Sequence, residues 1–249
     1  MNGGAFPTLI AIITMFFVGF EAGPAAGLLS TLLLTGVIVF GVAMTFAVSR
    51  LLSKTILKGV PSSFTLELPP YRRPQIGKVI VRSVFDRTLF VLGRAAAVAA
   101  PAGLLIWLLA NIPAGGTSLL AQCTGWLDPF ARLFGLDGVI LMAFILGFPA
   151  NEIVIPIILM CYMSTGSLVE MGNLGALKEL LVDNGWTWLT AVCTMLFSLM
   201  HWPCSTTCLT IRRETGSWKW TAVSVLLPTA AGLLLCGLVA GAARLFGLA

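Results

Sequence analysis

Gly147-Phe148-Pro149-Ala150-Asn151-Glu152 and His201-Trp202-Pro203-Cys204-Ser205-Thr206 each interrupt an apolar run with a proline and set polar side chains beside the interruption. In hydrocarbon such a break frees backbone groups that no water is there to satisfy. It persists where it is buried in protein or lines a cavity. The two stretches therefore predict a membrane protein in which broken helices wall a transport site.

The surrounding composition fixes the solvent. Of 249 residues, 58% are hydrophobic and 10% are charged, far from the balance of a soluble domain of this length. Several apolar runs approach or exceed the roughly 20 residues needed to cross hydrocarbon, and the first begins almost at Met1. The fold class this implies is all-α, a polytopic membrane protein with broken or re-entrant helices. No basic segment precedes Phe6 and no small-residue cleavage site follows, so a cleaved signal peptide is not expected.

The formal charge of +5 is not a nucleic-acid footprint, and no nucleic-acid partner is expected. Most cations fall in one stretch, Arg50, Lys54, Lys58, Arg72, Arg73, Lys78, Arg82, Arg87 and Arg94, balanced only by Glu67 and Asp86. Basic loops mark the cytoplasmic side. The stretch also suits anionic lipid headgroups or a cytoplasmic partner, with lipid the preferred reading. The six cysteines lie mostly inside apolar runs and suggest small core residues, not a disulfide framework.

Residues 1–48 read as two transmembrane helices, Phe6–Phe20 and Ala25–Val48, joined at Glu21-Ala22-Gly23-Pro24. Residues 49–88 read as a cytoplasmic loop with an interfacial amphipathic helix. Within that loop, Pro69, Pro70 and Pro74 forbid a regular helix over 66–74 and favour an extended clamp or spacer. From Gln75 to Arg87, apolar residues alternate with Lys78, Arg82 and Arg87 at roughly helical spacing, the pattern of a helix lying in the interface. Residues 89–249 form a region of broken helices. A span covers Leu89–Leu109, with Arg94 placed to snorkel near its cytoplasmic end, and 119–134 forms a short helix at the outer surface. Val139–Phe148 and Ile153–Met163 are each half a bilayer long, and they form either one discontinuous helix or a re-entrant hairpin. A second basic cluster, Arg212, Arg213 and Lys219, belongs on the same side as the first, so the number of crossings between the clusters is even. Leu89–Leu109, Val139–Met163 and Trp186–Ile211 would make three, and the segment broken at its midpoint, 139–163, is the one expected to re-enter. A surface loop with a short helix at 176–182 follows, then interfacial Trp186 and Trp188. The last span, Ala222–Ala243, carries small residues that permit close helix contact.

Three segments resemble the membrane part of the FeoB family, the bacterial ferrous iron transporter B: Glu67-Leu68-Pro69-Pro70-Tyr71-Arg72, Gly147 to Glu152, and Pro203-Cys204 followed by Ile211-Arg212-Arg213-Glu214-Thr215-Gly216-Ser217-Trp218-Lys219-Trp220. The last is the most specific. The resemblance runs from near Met1 to about Gly241. It implies a gate-type transporter half in which a Pro-Cys element carries the ion path, with Fe²⁺ as the transported ion. It also implies a bacterial cytoplasmic membrane location, multi-pass, and no enzymatic activity of this chain. No Gly-x-x-x-x-Gly-Lys-Ser/Thr pattern is present, so no nucleotide site is assigned. Met1 to Thr8 resembles the residues just after the first gate cysteine. The chain is therefore expected to be a carboxy-terminal part, with a GTP-binding domain and the first gate half on another chain; homo-oligomer formation stays open.

The side chains at the second break suit this ion. Fe²⁺ accepts imidazole, thiolate and carboxylate, and a transport site needs moderate affinity. Met200, Cys204 and Cys208 recur every four residues, which puts three sulfurs on one helical stripe provided Pro203 does not rotate them apart. His201, the single histidine in the chain, is adjacent. Simple packing of Met200 and Cys208, and an internal hydrogen bond of His201, are the alternatives. At the first break, Glu152 is costly in a bilayer unless it faces a cavity, pairs with a cation or is protonated. The negative end of the preceding half-helix, with Asn151, would favour a cation there. An internal hydrogen bond or a cap on the Ile153 helix would leave the same sequence. Ser205, Thr206 and Thr207 are available to satisfy carbonyls freed by Pro203. Two rival functions remain, a permease for a small organic solute such as a nucleoside and a non-transporting membrane scaffold.

Overall fold

The computed structural model describes residues 6–19, 24–55, 75–168 and 172–247. The turn at 20–23, the proline-rich loop around 66–74 and the side chain of Arg94 lie outside the described residues.

The chain opens on α1 (Phe6–Ile13), which continues as a π-helical turn over Thr14–Val18. Together they extend about 20 Å, too short to cross a bilayer. Leu9, Ile12 and Met15 are fully buried, because this segment packs against both α2 and α9. The first of the two expected crossings is thus a buried half-length helix. The second is a helix long enough for a full crossing, α2 (Pro24–Thr55), which runs seven residues past the end of the apolar run. Leu28, Leu32 and Phe46 project outward from α2, and the hydroxyls of Thr31, Thr35 and Thr45 donate to carbonyls one turn back. These hydroxyls are satisfied within their own helix, as a lipid-suited surface demands.

The expected interfacial helix at 75–87 is joined without interruption to the next span. Helix α3 (Ile76–Arg82) passes through a π-helical stretch, Ser83–Leu89, into α4 (Phe90–Asn111). At the far end of α4, Asn111 Nδ2 donates to the carbonyls of Trp107 at 2.9 Å and Gly166 at 2.8 Å, tying α4 to the loop after α7. A two-residue hairpin follows, β1 (Pro113–Ala114) with β2 (Thr117–Ser118). Ser118 then caps α5 (Leu119–Leu133) by accepting from Ala121 N. Helix α5 is amphipathic, as expected of a surface helix, with Leu120, Thr124 and Ala131 inward and Trp126 81% exposed.

A bend of 109° separates α5 from α6 (Gly138–Leu146). The two helices meet so closely at Gly138 that a Cβ there would lie 2.0 Å from the Thr124 carbonyl oxygen. After the first break, a 3₁₀ turn (Asn151–Ile153) leads into α7 (Val154–Met163). Asp137, the residue before α6, accepts from Ile140 N at 2.6 Å and also from the Tyr162 hydroxyl near the end of α7. Two collinear half-helices would put those residues more than 30 Å apart. The segment is therefore a re-entrant hairpin with its tip at Phe148–Asn151, one of the two arrangements left open by the sequence.

Helix α8 (Leu174–Asp183) leads to α9 (Trp188–Met200), the second break, α10 (Ser205–Thr215) and α11 (Trp218–Leu245). Helix α11 packs along both α9 and α10: Cys236 meets Cys193 near its end, Gly232 approaches Met200 and Phe197 in its middle, and Trp218 meets Arg212 at its start. Helices α9 and α10 thus form one discontinuous crossing antiparallel to α11.

The Gly138 contact yields a direct test. Gly138→Ala is expected to destabilise the protein by about 1–3 kcal/mol, because the obstructing atom is backbone and cannot swing aside. Gly125→Ala in α5, where an added Cβ meets nothing, should be neutral or slightly stabilising. Thermal unfolding of both variants in detergent reads the difference.

Candidate functional site

Each break leaves backbone groups without an intrahelical partner, and the two breaks supply partners to one another. Ser205 N, at the first turn of α10, donates to the Phe148 carbonyl at the hairpin tip over 2.9 Å. Beside it, His201 Nε2 lies 3.2 Å from Asn151 Oδ1. The two stretches that opened the sequence analysis are thus in direct contact, fifty residues apart in the chain.

The imidazole is held by its other nitrogen. Nδ1 lies 3.1 Å from the Phe197 carbonyl and 2.9 Å from the Ser198 carbonyl. Both are acceptors, so Nδ1 carries a proton and donates. In the neutral ring Nε2 then offers a lone pair toward Asn151. Two arrangements satisfy that pair: the Asn151 amide turned over so that Nδ2 donates, or a cation drawing in both lone pairs. Phe144, Phe197 and Trp202 surround the ring with centroids 4.9, 5.9 and 5.8 Å away. His201 and Asn151 are both buried.

The remaining site residues separate into different surroundings. Cys204 is half-buried, and its Sγ lies 3.1 Å from Thr206 Oγ1 and 3.2 Å from Thr207 Oγ1. Cys208 is buried and its thiol donates to the Pro203 carbonyl at 3.5 Å. The threonine hydroxyls expected to satisfy backbone freed at Pro203 pair with a thiol instead, and a cysteine takes that carbonyl. Met200 turns away. It lines a cavity of about 400 Å³ between α2, α9 and α11 together with Met44 and Pro228, whereas Cys208 lines another, bounded by Val98, Phe148 and Trp218. The three-sulfur stripe does not form, because the extended backbone at His201–Cys204 changes the helical phase between Met200 and α10.

Glu152 is exposed, sits in the 3₁₀ turn, and makes no hydrogen bond or ion pair among the described residues. It caps neither that turn nor α7, so neither structural alternative weighed for it from sequence is realised. Among the described residues no group of three or more His, Cys, Asp or Glu side chains is gathered closely enough to hold a metal ion.

Two polar atoms at the second break stand out. Trp202 Nε1 and Ser205 Oγ are buried without a hydrogen-bond partner among the described residues. Each such group costs about 1–3 kcal/mol, and natural structures retain them where function requires. Ser205 thus joins the candidate site residues, although sequence reasoning placed it only in a backbone-satisfying role. The Asp137, Tyr162 and Trp186 network, in which Trp186 Nε1 donates to the Tyr162 hydroxyl at 2.9 Å, was also missed. Asp137 ahead of an apolar run was a readable helix-cap signal; its partners were not readable.

Comparison with known proteins gives two family matches. Residues 34–87 match the family described as ferrous iron transport protein B C terminus, and residues 92–218 match the Gate family, described as nucleoside recognition. The Fe(2+) transporter FeoB of Staphylococcus aureus (strain MSSA476) is 31% identical over 209 residues, covering 80% of this chain and 29% of the relative. The protein of the same name from Leptospira biflexa is 24% identical over 267 residues, covering 99% of this chain and 38% of the relative. That from Methanocaldococcus jannaschii is 27% identical over 199 residues, covering 74% and 28%. The chain thus spans between about three and four tenths of the length of these curated relatives. No solved structure matches it.

The unequal satisfaction of the two polar residues predicts opposite stability effects. Ser205→Ala removes a hydroxyl that has no partner and should leave the melting temperature unchanged or slightly raised. Asn151→Ala removes the side-chain contact between the breaks, leaving the backbone one, and should cost about 1–2 kcal/mol. Thermal unfolding in a single detergent compares them.

Proposed function

The chain belongs to the ferrous iron transport protein B family, and on that premise we propose that it forms part of a membrane permease for Fe²⁺, with the ion passing at the junction of the two breaks. The observation that carries this reading is the contact of the hairpin tip with the discontinuous crossing, through Ser205 N with the Phe148 carbonyl and His201 with Asn151. The donors that meet there are an imidazole nitrogen and an amide oxygen, with the unpartnered Ser205 hydroxyl on the adjoining helix start. They are neutral, one nitrogen of intermediate softness and otherwise hard oxygen, a set that would hold Fe²⁺ weakly enough to release it.

Cys204 and Glu152 extend the path to either side. An exposed carboxylate next to the hairpin tip is stable in a bilayer only against protein or water. Glu152 therefore faces other parts of the transporter, supplied by the first gate half. Cys208 lies deeper along α10 and Met200 stands at the margin. A GTP-binding domain coupled to this region and a location in the bacterial cytoplasmic membrane belong to the same proposal, as does the absence of enzymatic activity in this chain. The Gate match also favours a second reading, a permease for a nucleoside-sized organic solute.

Anaerobic uptake of labelled Fe²⁺ in cells lacking other iron routes, with this segment present in its complete transporter, is the test. Glu152→Gln and Cys204→Ser are each expected to reduce uptake at least tenfold at equal membrane abundance, a loss of about 1.4 kcal/mol or more in stabilisation of the passing ion. Unchanged uptake in both removes the path from the junction. Labelled nucleoside entering at the same rate in cells with and without the protein disposes of the second reading.

A further inference from the structure

Two cavities meet at the cytoplasmic end of α10 and α11, and they differ in chemistry. One, about 630 Å³, is lined by Leu209, Arg212, Arg213, Gly216 and Trp218. The other, about 600 Å³, is nearly all apolar and runs between α4, α10 and α11 past Val98, Ala222, Val225 and Leu226 to Phe148 and Ser205. Leu209, Arg212 and Trp218 line both, so the cavities share a wall. The pair is amphiphilic, cationic at the membrane surface and apolar toward its interior.

From this we propose a specific anionic phospholipid site. The phosphate of the headgroup sits against Arg212 and Arg213, and one acyl chain fills the apolar cavity toward the hairpin tip. Four observations select this occupant. Trp218 begins a 28-residue helix long and apolar enough to cross a bilayer, so the cationic cavity lies at the depth of headgroups. Trp218 and Trp220 are 65% and 39% exposed, the placement amphipathic rings take at that depth. The Arg212 guanidinium carbon sits over the Trp218 ring, 3.8 Å from its centroid, a contact that uses the ring face and no carboxylate, so its N–H donors are available to a phosphate. Arg212, Arg213 and Lys219 make no ion pair among the described residues, and Glu214 is the single acidic residue in that turn. From Arg212 to Ser205 the helix rises about 10 Å, so the chain of such a lipid reaches the second break. The site stands whether or not Fe²⁺ is the transported ion.

The full chain, purified in a neutral detergent, is mixed with phosphatidylglycerol or phosphatidylcholine and examined by native mass spectrometry. Phosphatidylglycerol is expected to bind in excess, and Arg212→Gln with Arg213→Gln to weaken it roughly fivefold for each arginine removed. Arg212→Lys with Arg213→Lys should retain most of the binding and serves as the folding control. Ala222→Phe, which fills the apolar cavity from an exposed position, should weaken phosphatidylglycerol without altering the melting temperature. Equal binding of the two lipids, or no effect of either the glutamine pair or Ala222→Phe, overturns the proposal. Displacement of the lipid by inorganic phosphate would assign the arginines to a free anion instead. Stoichiometric capture of an acidic protein surface through the same arginines, without preference between lipids, would assign them to a protein partner.

Discussion

Everything in this fold depends on backbone groups at two helix breaks satisfying each other where water is scarce. The Ser205 N–H and the Phe148 carbonyl belong to different breaks, and each lacks an intrahelical partner for a reason written in its own segment. Ser205 is the first residue of a new helix, whose opening amides have no preceding turn. Phe148 lies in the turn after α6, where Pro149 cannot continue the helix. A hydrogen bond worth about 1 kcal/mol net in water is far more consequential here, because an unmet group in hydrocarbon costs several times as much.

That contact needs the hairpin tip to be held at a fixed depth, and the opposite end of the hairpin provides the anchor. Asp137 links the start of α6 to the end of α7 through Tyr162, and Trp186 links Tyr162 to the approach to α9. Burial pushes the Asp137 carboxyl above its ordinary range, opposed by the hydrogen bonds it accepts from Tyr162 and Ile140. Phe16 stacks on Trp186 with centroids 6.0 Å apart, which brings the half-length α1 into the same arrangement. Hairpin, α1 and discontinuous crossing are therefore fixed to one another at the mouth, and the tip inherits its position.

Much of this was readable from residue pattern alone. Proline between apolar half-helices identified both breaks, and counting crossings between Arg82 and Arg212 selected the one that re-enters. Periodicity could not show that 6–18 is buried among other helices instead of crossing, because both environments favour the same apolar residues. Nor could it show where α2 ends, since Arg50 and Lys54 are compatible with a helix that continues beyond hydrocarbon. At the site, Asn151, His201, Cys204 and Glu152 were all visible as polar residues in the wrong solvent. Their grouping was not. A four-residue spacing places Met200 with Cys208 only if helical phase is continuous, and four extended residues abolish it. The isolation of Glu152 was equally hidden, because a caps-or-cavity choice depends on what lies opposite.

The electrostatics of the junction follow from which helix ends converge. Helix α6 arrives with its carboxyl end, and so does α9, whose Phe197 and Ser198 carbonyls receive the His201 Nδ1 proton. Helices α7 and α10 leave with their amino ends. The partial charges of about half a unit at each end would cancel if all four were equally exposed. They are not, because the α10 amide at Ser205 is spent on Phe148, while the α9 carbonyls act through the imidazole. Donating Nδ1–H to two carbonyls fixes the ring orientation and turns Nε2 toward the hairpin tip. What remains facing the hairpin tip is the Nε2 and Asn151 Oδ1 pair, polar and without a formal charge.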